Sequence, residues 1–184
     1  SVPLADLTPS IVMTTVDKVH NVFLSFKGRS PRQVYIDASK DLGAKVNSRF
    51  AAELSDTVDD FYGMESLSVA GNYFGPKGCL AVLKIVQCQQ RLKSLDMSGC
   101  GMDDIVINEL VELLQDHPLL RDVVLVENPD ISVFSGKPLA RVVKLNVNIV
   151  RLDVTGTHIG ENVATVLQRA CDKNKAAMEA YFSD

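Results

Sequence analysis

The chain has 184 residues, of which 46% are hydrophobic and 23% are charged, and its formal net charge is −4 at pH 7. This length suits one domain with a sizeable core, and the acidic balance excludes a general nucleic-acid binder, which would carry a basic stripe. No apolar run approaches the roughly 18 residues that a membrane helix needs, so we expect no membrane insertion.

Two helices are predicted before the first clear motif. The first lies within residues 1–30. Thr8 can cap its start, Pro9 fits its first position, an apolar face extends to Phe26, and Gly28 follows its last turn. Apolar residues then recur every four positions from Val46 to Val58 and predict a helix over 44–60. Its acidic end opposes the helix dipole, which favours either a solvated, frayed end or contact with a basic partner.

A spaced aliphatic motif begins at Met64, Leu92, Leu120 and Ile149, at intervals of 28, 28 and 29 residues. Two more aliphatic residues follow each opener, three and five positions later. Eight positions after the openers stand side chains that can hydrogen-bond to the backbone of a turn, namely Asn72, Cys100, Asn128 and Thr157. A fainter copy begins near Pro31, with an apolar pair, Val34 and Ile36, and a turn residue, Ser39.

Each copy continues into a helix, because aliphatic residues recur at i, i+3 and i+4 in its second half. The last helix begins near Gly160 and keeps its period through Met178 and Tyr181 to Phe182. It is either one long helix or two helices with a break near residues 172–175. The apolar residues at its C-terminal end either cover the last copy of the motif or bind a partner.

A strand-and-turn motif joined to a helix within about 28 residues resembles the leucine-rich repeat of the ribonuclease-inhibitor type, over roughly residues 31–170. The resemblance implies an α/β solenoid of about five repeats, with parallel strands on the concave side and α-helices on the convex side. One domain, 1–184, would then have helical caps at 1–30 and 171–184. Residues 1–30 could equally be the outer helix of a repeat that lacks its strand.

Alternate residues of a strand face opposite sides, so the residues between the inward aliphatic positions should line the concave face. The candidate partner-binding residues on this face are Tyr35, Ser68, Asp96, Asp122, Val124, Val126, Arg151 and Asp153. We expect an ion pair between Asp122 and Arg151, which lie in adjoining copies. An acidic face with a small apolar patch suits a protein partner with a basic surface. The alternative is that these residues only solvate the sheet and that the partner binds elsewhere on the chain.

The cysteines and histidines indicate no disulfide, metal site or catalytic site. The spacing of the four cysteines is neither C-x-x-C nor that of a zinc site, which favours reduced structural thiols over a disulfide or a metal pair: Cys79, Cys88, Cys100 and Cys171. Reduced thiols indicate the cytoplasm or another reducing compartment. Three histidines without an obvious acid partner predict no catalytic residue, cofactor or metal. The expected function is a non-catalytic protein-binding scaffold. Similar repeats build GTPase-activating and actin-capping domains, so a small GTPase or a cytoskeletal partner is the alternative.

Overall fold

A computed structural model describes residues 24–181 of the chain. After the helical residues 24–26, the described part of the chain has two helices, and strands and helices alternate after them. The elements are α1 (Pro31–Asp41), α2 (Ser48–Glu53), β1 (Ser66–Ser68), α3 (Gly75–Cys88), β2 (Ser94–Asp96), α4 (Asp104–Asp116), β3 (Asp122–Val124), a 3-10 helix (Val133–Ser135), α5 (Gly136–Leu145), β4 (Arg151–Asp153) and α6 (Glu161–Tyr181). The structure is therefore of the mixed α/β class, as predicted.

The four strands form one parallel sheet whose spatial order is the chain order. Leu67 pairs with Leu95, Leu95 with Val123, and Val123 with Leu152. This register reproduces the predicted intervals of 28, 28 and 29 residues. These four side chains are buried, whereas the residues on either side of each are half-buried or exposed. The predicted alternation of inward and outward residues is thus confirmed.

The helices that follow the strands pack against one another in chain order, α3 on α4, α4 on α5 and α5 on α6. Their starts follow from the sequence. Pro76 lies in the first turn of α3, and the Asp103 side chain accepts a hydrogen bond from the N–H of Val106 at 3.0 Å to cap α4. Inward residues such as Leu110 and Leu114 join the strand residues in one apolar core.

All four predicted turn residues bond to the backbone. Asn72 Nδ2 lies 3.2 Å from the carbonyl oxygen of Val69, and Cys100 Sγ lies 3.3 Å from the same oxygen. Thr157 Oγ1 donates over 2.7 Å to the carbonyl three residues before it. Asn128 makes the largest set of such bonds. The turn after each strand is therefore stabilised by the side chain at the predicted position.

Asn128 is fully buried and uses both ends of its amide. Its Oδ1 accepts hydrogen bonds from the backbone N–H groups of residues 100–102, at 3.0 to 3.1 Å. Its Nδ2 donates to the carbonyls of Met97 and Leu125, at 3.0 and 2.9 Å. One side chain thus joins the turn after β3 to the turn after β2.

The fainter first copy is helical, so the strand predicted at Val34 and Ile36 is wrong. The Ser30 hydroxyl accepts a hydrogen bond from the N–H of Gln33 at 3.2 Å, and Pro31 lies in the first turn of α1. A side-chain cap followed by proline favours a helix start, and here it outweighs two apolar residues spaced for a strand. Residues 24–181 contain four strands, one fewer than the five repeats predicted.

Tyr35, predicted on the sheet face, lies instead in the core of the first two helices. Its side chain is fully buried. The hydroxyl accepts a hydrogen bond from the N–H of Asn47 at 3.1 Å, and the ring packs edge-on against Phe50 with 4.8 Å between centroids. Tyr35 therefore anchors α1 to α2 and is not available to a partner.

The helix predicted over 44–60 is much shorter, because α2 has only six residues and the chain is extended from Leu54. The acidic residues beyond it are held by the chain itself. Asp56 forms an ion pair with Arg32. Asp59, with a φ of +61°, accepts a hydrogen bond from the N–H of Gly28 at 2.7 Å. These carboxylates tie the segment after α2 to the start of α1.

The last helix, α6, is continuous from Glu161 to Tyr181, which decides between the two alternatives in favour of one long helix. It buries Leu167, Cys171 and Asn174. Tyr181 is 80% exposed, so this residue does not shield the last strand. Phe182 lies outside the described residues.

Only the end of the predicted N-terminal helix is described. Residues 24–26 are helical, and Gly28 has a φ of +79°, the left-handed conformation expected just after a helix. Thr8 and Pro9 lie outside the described residues. Within residues 24–181, no helix combines the length and apolar character that crossing a membrane requires.

Candidate protein-binding face

The sheet exposes one face, on the side away from the buried strand residues. Its first row across the strands is Ser66, Ser94, Asp122 and Arg151, and its second row is Ser68, Asp96, Val124 and Asp153. Neighbouring strands lie about 4.8 Å apart, so each row is about 14 Å long. Seven of the eight predicted residues lie on this face, and only Tyr35 does not. Val126 continues it beyond β3, where its carbonyl accepts a hydrogen bond from Gly99 at 2.9 Å.

Two carboxylates on this face are oriented by the residues two positions later. Asp96 Oδ1 accepts hydrogen bonds from the N–H and the hydroxyl of Ser98, at 3.0 and 2.6 Å. Asp153 Oδ1 accepts from the N–H and the hydroxyl of Thr155, at 3.2 and 2.8 Å. Burial acts to raise the pKa of Asp153, but the bonds from Thr155 and Arg151 outweigh it and hold the pKa below its usual value. Asp153 is therefore ionised at neutral pH.

The predicted ion pair between Asp122 and Arg151 is wrong. Arg151 Nη2 lies 3.3 Å from Asp153 Oδ2, and Arg121 Nε lies 3.3 Å from Asp122 Oδ2. Although Asp122 and Arg151 are direct partners in the β3–β4 register, Asp153 lies on the same face about 7 Å along the strand of Arg151, and the long Arg151 side chain reaches that carboxylate instead. Exposed pairs of this kind contribute little to stability.

A small apolar patch divides the acidic face. It consists of Val124 in β3 and Val126 just after this strand, and both are half-buried. Val124 pairs in register with Asp96 on one side and Asp153 on the other. The two carboxylates therefore flank the patch about 10 Å apart, at two strand spacings. This arrangement can accept cationic groups on either side of an aliphatic or aromatic one.

Sequence reasoning missed a second set of polar residues, which joins consecutive units at the opposite ends of the strands. Gln89, His117 and Asn146 are the C-terminal caps of α3, α4 and α5, and all three are buried. Gln89 Nε2 donates to the carbonyl of Asp60 at 3.0 Å, and Asn146 Nδ2 to that of Leu114 at 2.6 Å. Their spacing of 28 and 29 residues, equal to that of the motif, was the signal that could have found them.

His117 occupies the middle of this set. Its Nε2 lies 3.1 Å from the carbonyl oxygen of Gln89, and its Nδ1 accepts from the N–H of Leu120 at 3.1 Å. These partners assign the proton to Nε2 and leave Nδ1 as the acceptor. Burial lowers the pKa of His117, so the neutral ring is the form that fits.

The four cysteines are free and buried, as predicted. Burial raises the pKa of Cys79, Cys88 and Cys100 to about 12, and that of Cys171 to about 11. Because the thiolate is the reactive form, these thiols are unreactive in the folded chain. Within residues 24–181, no three His, Cys, Asp or Glu side chains form a group that could hold a metal ion.

Together, these features define an α/β protein in which successive strand–helix units expose one face of a four-stranded parallel sheet. A comparison with models of protein families found no match. The chain is similar to a protein of Euglena gracilis named photoactivated adenylate cyclase subunit alpha, with 24% identity over 147 residues. The similar region covers 80% of this chain but only 14% of the length of that protein.

Proposed function

We propose that this chain is a leucine-rich repeat domain of the ribonuclease-inhibitor type and a non-catalytic scaffold that binds a partner protein. The support is its periodicity, since strands at intervals of 28 or 29 residues pair in register and a helix follows each one. The asparagine of the turn after β3 bonds to both its own and the preceding turn. In a curved solenoid, the exposed sheet face would lie on the concave side.

The observation that carries the proposed function is the exposed sheet face itself. Its residues are set by the strand register, and two of its carboxylates are oriented by hydrogen bonds before any partner arrives. A carboxylate whose orientation is already fixed loses less side-chain entropy when it binds a guanidinium or an ammonium group. We therefore propose a partner with a basic surface and an apolar residue that contacts Val124 and Val126.

Other functions have less support. The similarity to the cyclase subunit does not lead us to propose cyclase activity, because the chain matches 14% of that protein. Activation of a small GTPase and capping of actin are alternatives that follow only from the repeat type. A GTP hydrolysis assay and actin co-sedimentation would test them. Free thiols fit a reducing compartment, so we propose a cytoplasmic location.

The proposed function can be tested by charge reversal on the exposed sheet face. The variant carries Asp96→Lys and Asp153→Lys, and the matched control carries Glu109→Lys and Glu112→Lys on the exposed side of α4. Both variants change the net charge equally. In affinity capture with quantitative mass spectrometry, we expect the face variant to lose proteins that the wild type and the control retain. Equal capture by all three would contradict the proposed function, provided circular dichroism shows that each is folded.

A further inference from the structure

The two edges of the sheet differ in how they are covered. The edge at β4 contacts α6, whose Asn174 side chain donates to the carbonyl of Ile149 at 2.9 Å. Among residues 24–181, no helix packs against β1 to the extent that α6 packs against β4, and β1 pairs with β2 alone. An exposed strand edge is a template for pairing with another extended segment.

The backbone groups that β1 leaves open can be identified from those it uses. The Glu65 carbonyl accepts a hydrogen bond from Ser94 at 3.3 Å, and the Val69 N–H donates to Asp96 at 2.9 Å, so both point towards β2. Alternate residues of a parallel strand direct their N–H and C=O groups to opposite sides. Ser66 and Ser68 therefore direct theirs outward, where no group of the described residues bonds to them.

A cavity of about 410 Å³ opens beside this edge, and the residues that matter in its lining are Pro31, Glu53, Asp60, Glu65, Ser66 and Gln89. The lining contains three carboxylates and neither lysine nor arginine. Gln89 is only 2% exposed, and its Oε1 accepts no hydrogen bond from the described residues. The cavity thus combines negative charge with a buried amide oxygen that lacks a donor, which suits a cationic or amide-bearing group.

The three carboxylates are not equally available. Glu65 is held by Lys93 and Arg91, each at 2.9 Å, and Lys93 is the main reason that its pKa is lowered. Among the described residues, Glu53 pairs only with Arg49, at 3.6 Å, and this pair is largely exposed. Asp60 forms no ion pair with a described residue. Glu53 and Asp60 therefore supply the charge that a cation could meet.

We propose that the β1 edge binds an extended, basic segment of a partner protein as an additional strand, with a lysine or arginine side chain placed in the cavity. The outward groups of Ser66 and Ser68 supply the main-chain hydrogen bonds, and Glu53 and Asp60 supply the preference for a cation. The edge uses main-chain groups of Ser66 and Ser68 and the cavity carboxylates, whereas the exposed sheet face is lined by side chains, so the proposal does not depend on what binds to Asp96, Asp153 and the valine patch.

The experiment uses fluorescence anisotropy with a short dye-labelled peptide of alternating valine and lysine. The first control peptide has alternate amides N-methylated, which keeps the charge and removes the strand hydrogen bonds. The chain variants are Glu53→Gln with Asp60→Asn, which removes the charge, and Ser66→Pro, which removes one outward N–H at an edge position where proline is tolerated. The face variant with Asp96→Lys and Asp153→Lys serves as the second control.

We expect methylation of the peptide and each edge variant to weaken binding about tenfold or more, while the face variant binds normally. Binding that survives methylation would overturn the proposal, because it would rest on charge alone. Failure of the peptide to bind the wild-type chain would also overturn it. So would dimerisation of the chain that Ser66→Pro abolishes, since a second copy would then occupy the edge.

Discussion

Replacing Asn128 with alanine tests whether the turn side chains hold neighbouring units together. The substitution removes one acceptor from three backbone N–H groups and one donor from three carbonyls, of which that of Val126 keeps the Gly99 N–H as a partner, in a site with no solvent exposure. The groups that lose their partner belong to the turns after β2 and β3. The substitution should therefore weaken the contact between these two strand–helix units.

The structure sets the size of the effect. A buried polar group left without a partner costs about 1–3 kcal/mol, and five such groups would be left. Water that fills the space of the lost amide will satisfy some of them, so we expect a loss of roughly 3–5 kcal/mol. This is a large part of the stability of a typical domain, about 5–15 kcal/mol.

Urea unfolding followed by far-ultraviolet circular dichroism measures this loss, because the chain has no tryptophan to serve as a fluorescent probe. Asn72→Ala is the matched control. Asn72 is half-buried and donates to Val69 at 3.2 Å, with a longer contact of 3.5 Å to Ala70. We expect it to cost about 1 kcal/mol or less. Equal losses in the two variants would show that Asn128 does not hold the turns after β2 and β3 together.

Three further predictions concern the core, His117 and the thiols. Leu95→Ala, at a fully buried position, should cost about 2–5 kcal/mol in urea unfolding, while Ser68→Ala on the exposed face should cost under about 0.5 kcal/mol; equal costs would mean a wrong register. Burial lowers the pKa of His117 below its value in the unfolded chain. The neutral ring therefore contributes fully to stability above about pH 6.5, and this contribution is lost as the pH falls towards the folded pKa. The loss is at most about 1.4 kcal/mol per pH unit. His117→Gln should flatten that part of the pH dependence of the urea midpoint, and an unchanged slope would contradict this. The four buried thiols should react with Ellman's reagent only after denaturation, and rapid labelling of the native chain would show that they are accessible.

The strands and the exposed sheet face were predictable because one constraint determines both. An aliphatic residue that recurs every 28 or 29 positions must occupy equivalent places in successive units, so Leu67, Leu95, Val123 and Leu152 stack in register. Once the inward residues are known, the period of two along a strand places the others on the opposite face. No knowledge of curvature or of the partner is needed for that step.

The errors came where local interactions outweigh the repeat. Near Pro31 two apolar residues fitted the motif, but Ser30 and Pro31 form a helix cap, the same signal that Thr8 and Pro9 carry earlier in the chain. On the exposed sheet face, Arg151 has two carboxylates within reach, that of Asp122 on the neighbouring strand and that of Asp153 on its own strand. Spacing alone cannot choose between them, because the choice depends on the rotamer of a long, exposed side chain.

The structure also explains why the exposed face can vary without loss of the fold. Each strand has only three residues, so the backbone ladder alone contributes few hydrogen bonds. Register is instead held by the apolar residues beneath the sheet and by buried side chains at both ends of the strands, such as Asn128 at one end and His117 at the other. Among the described residues, neither the Asp96 nor the Asp153 carboxylate accepts a hydrogen bond from a neighbouring strand, since the partners of these side chains lie on their own strands or just after them. Substitutions at these two positions therefore change what the face can bind while the contacts that determine the fold remain, which is why their effect on capture can be separated from unfolding.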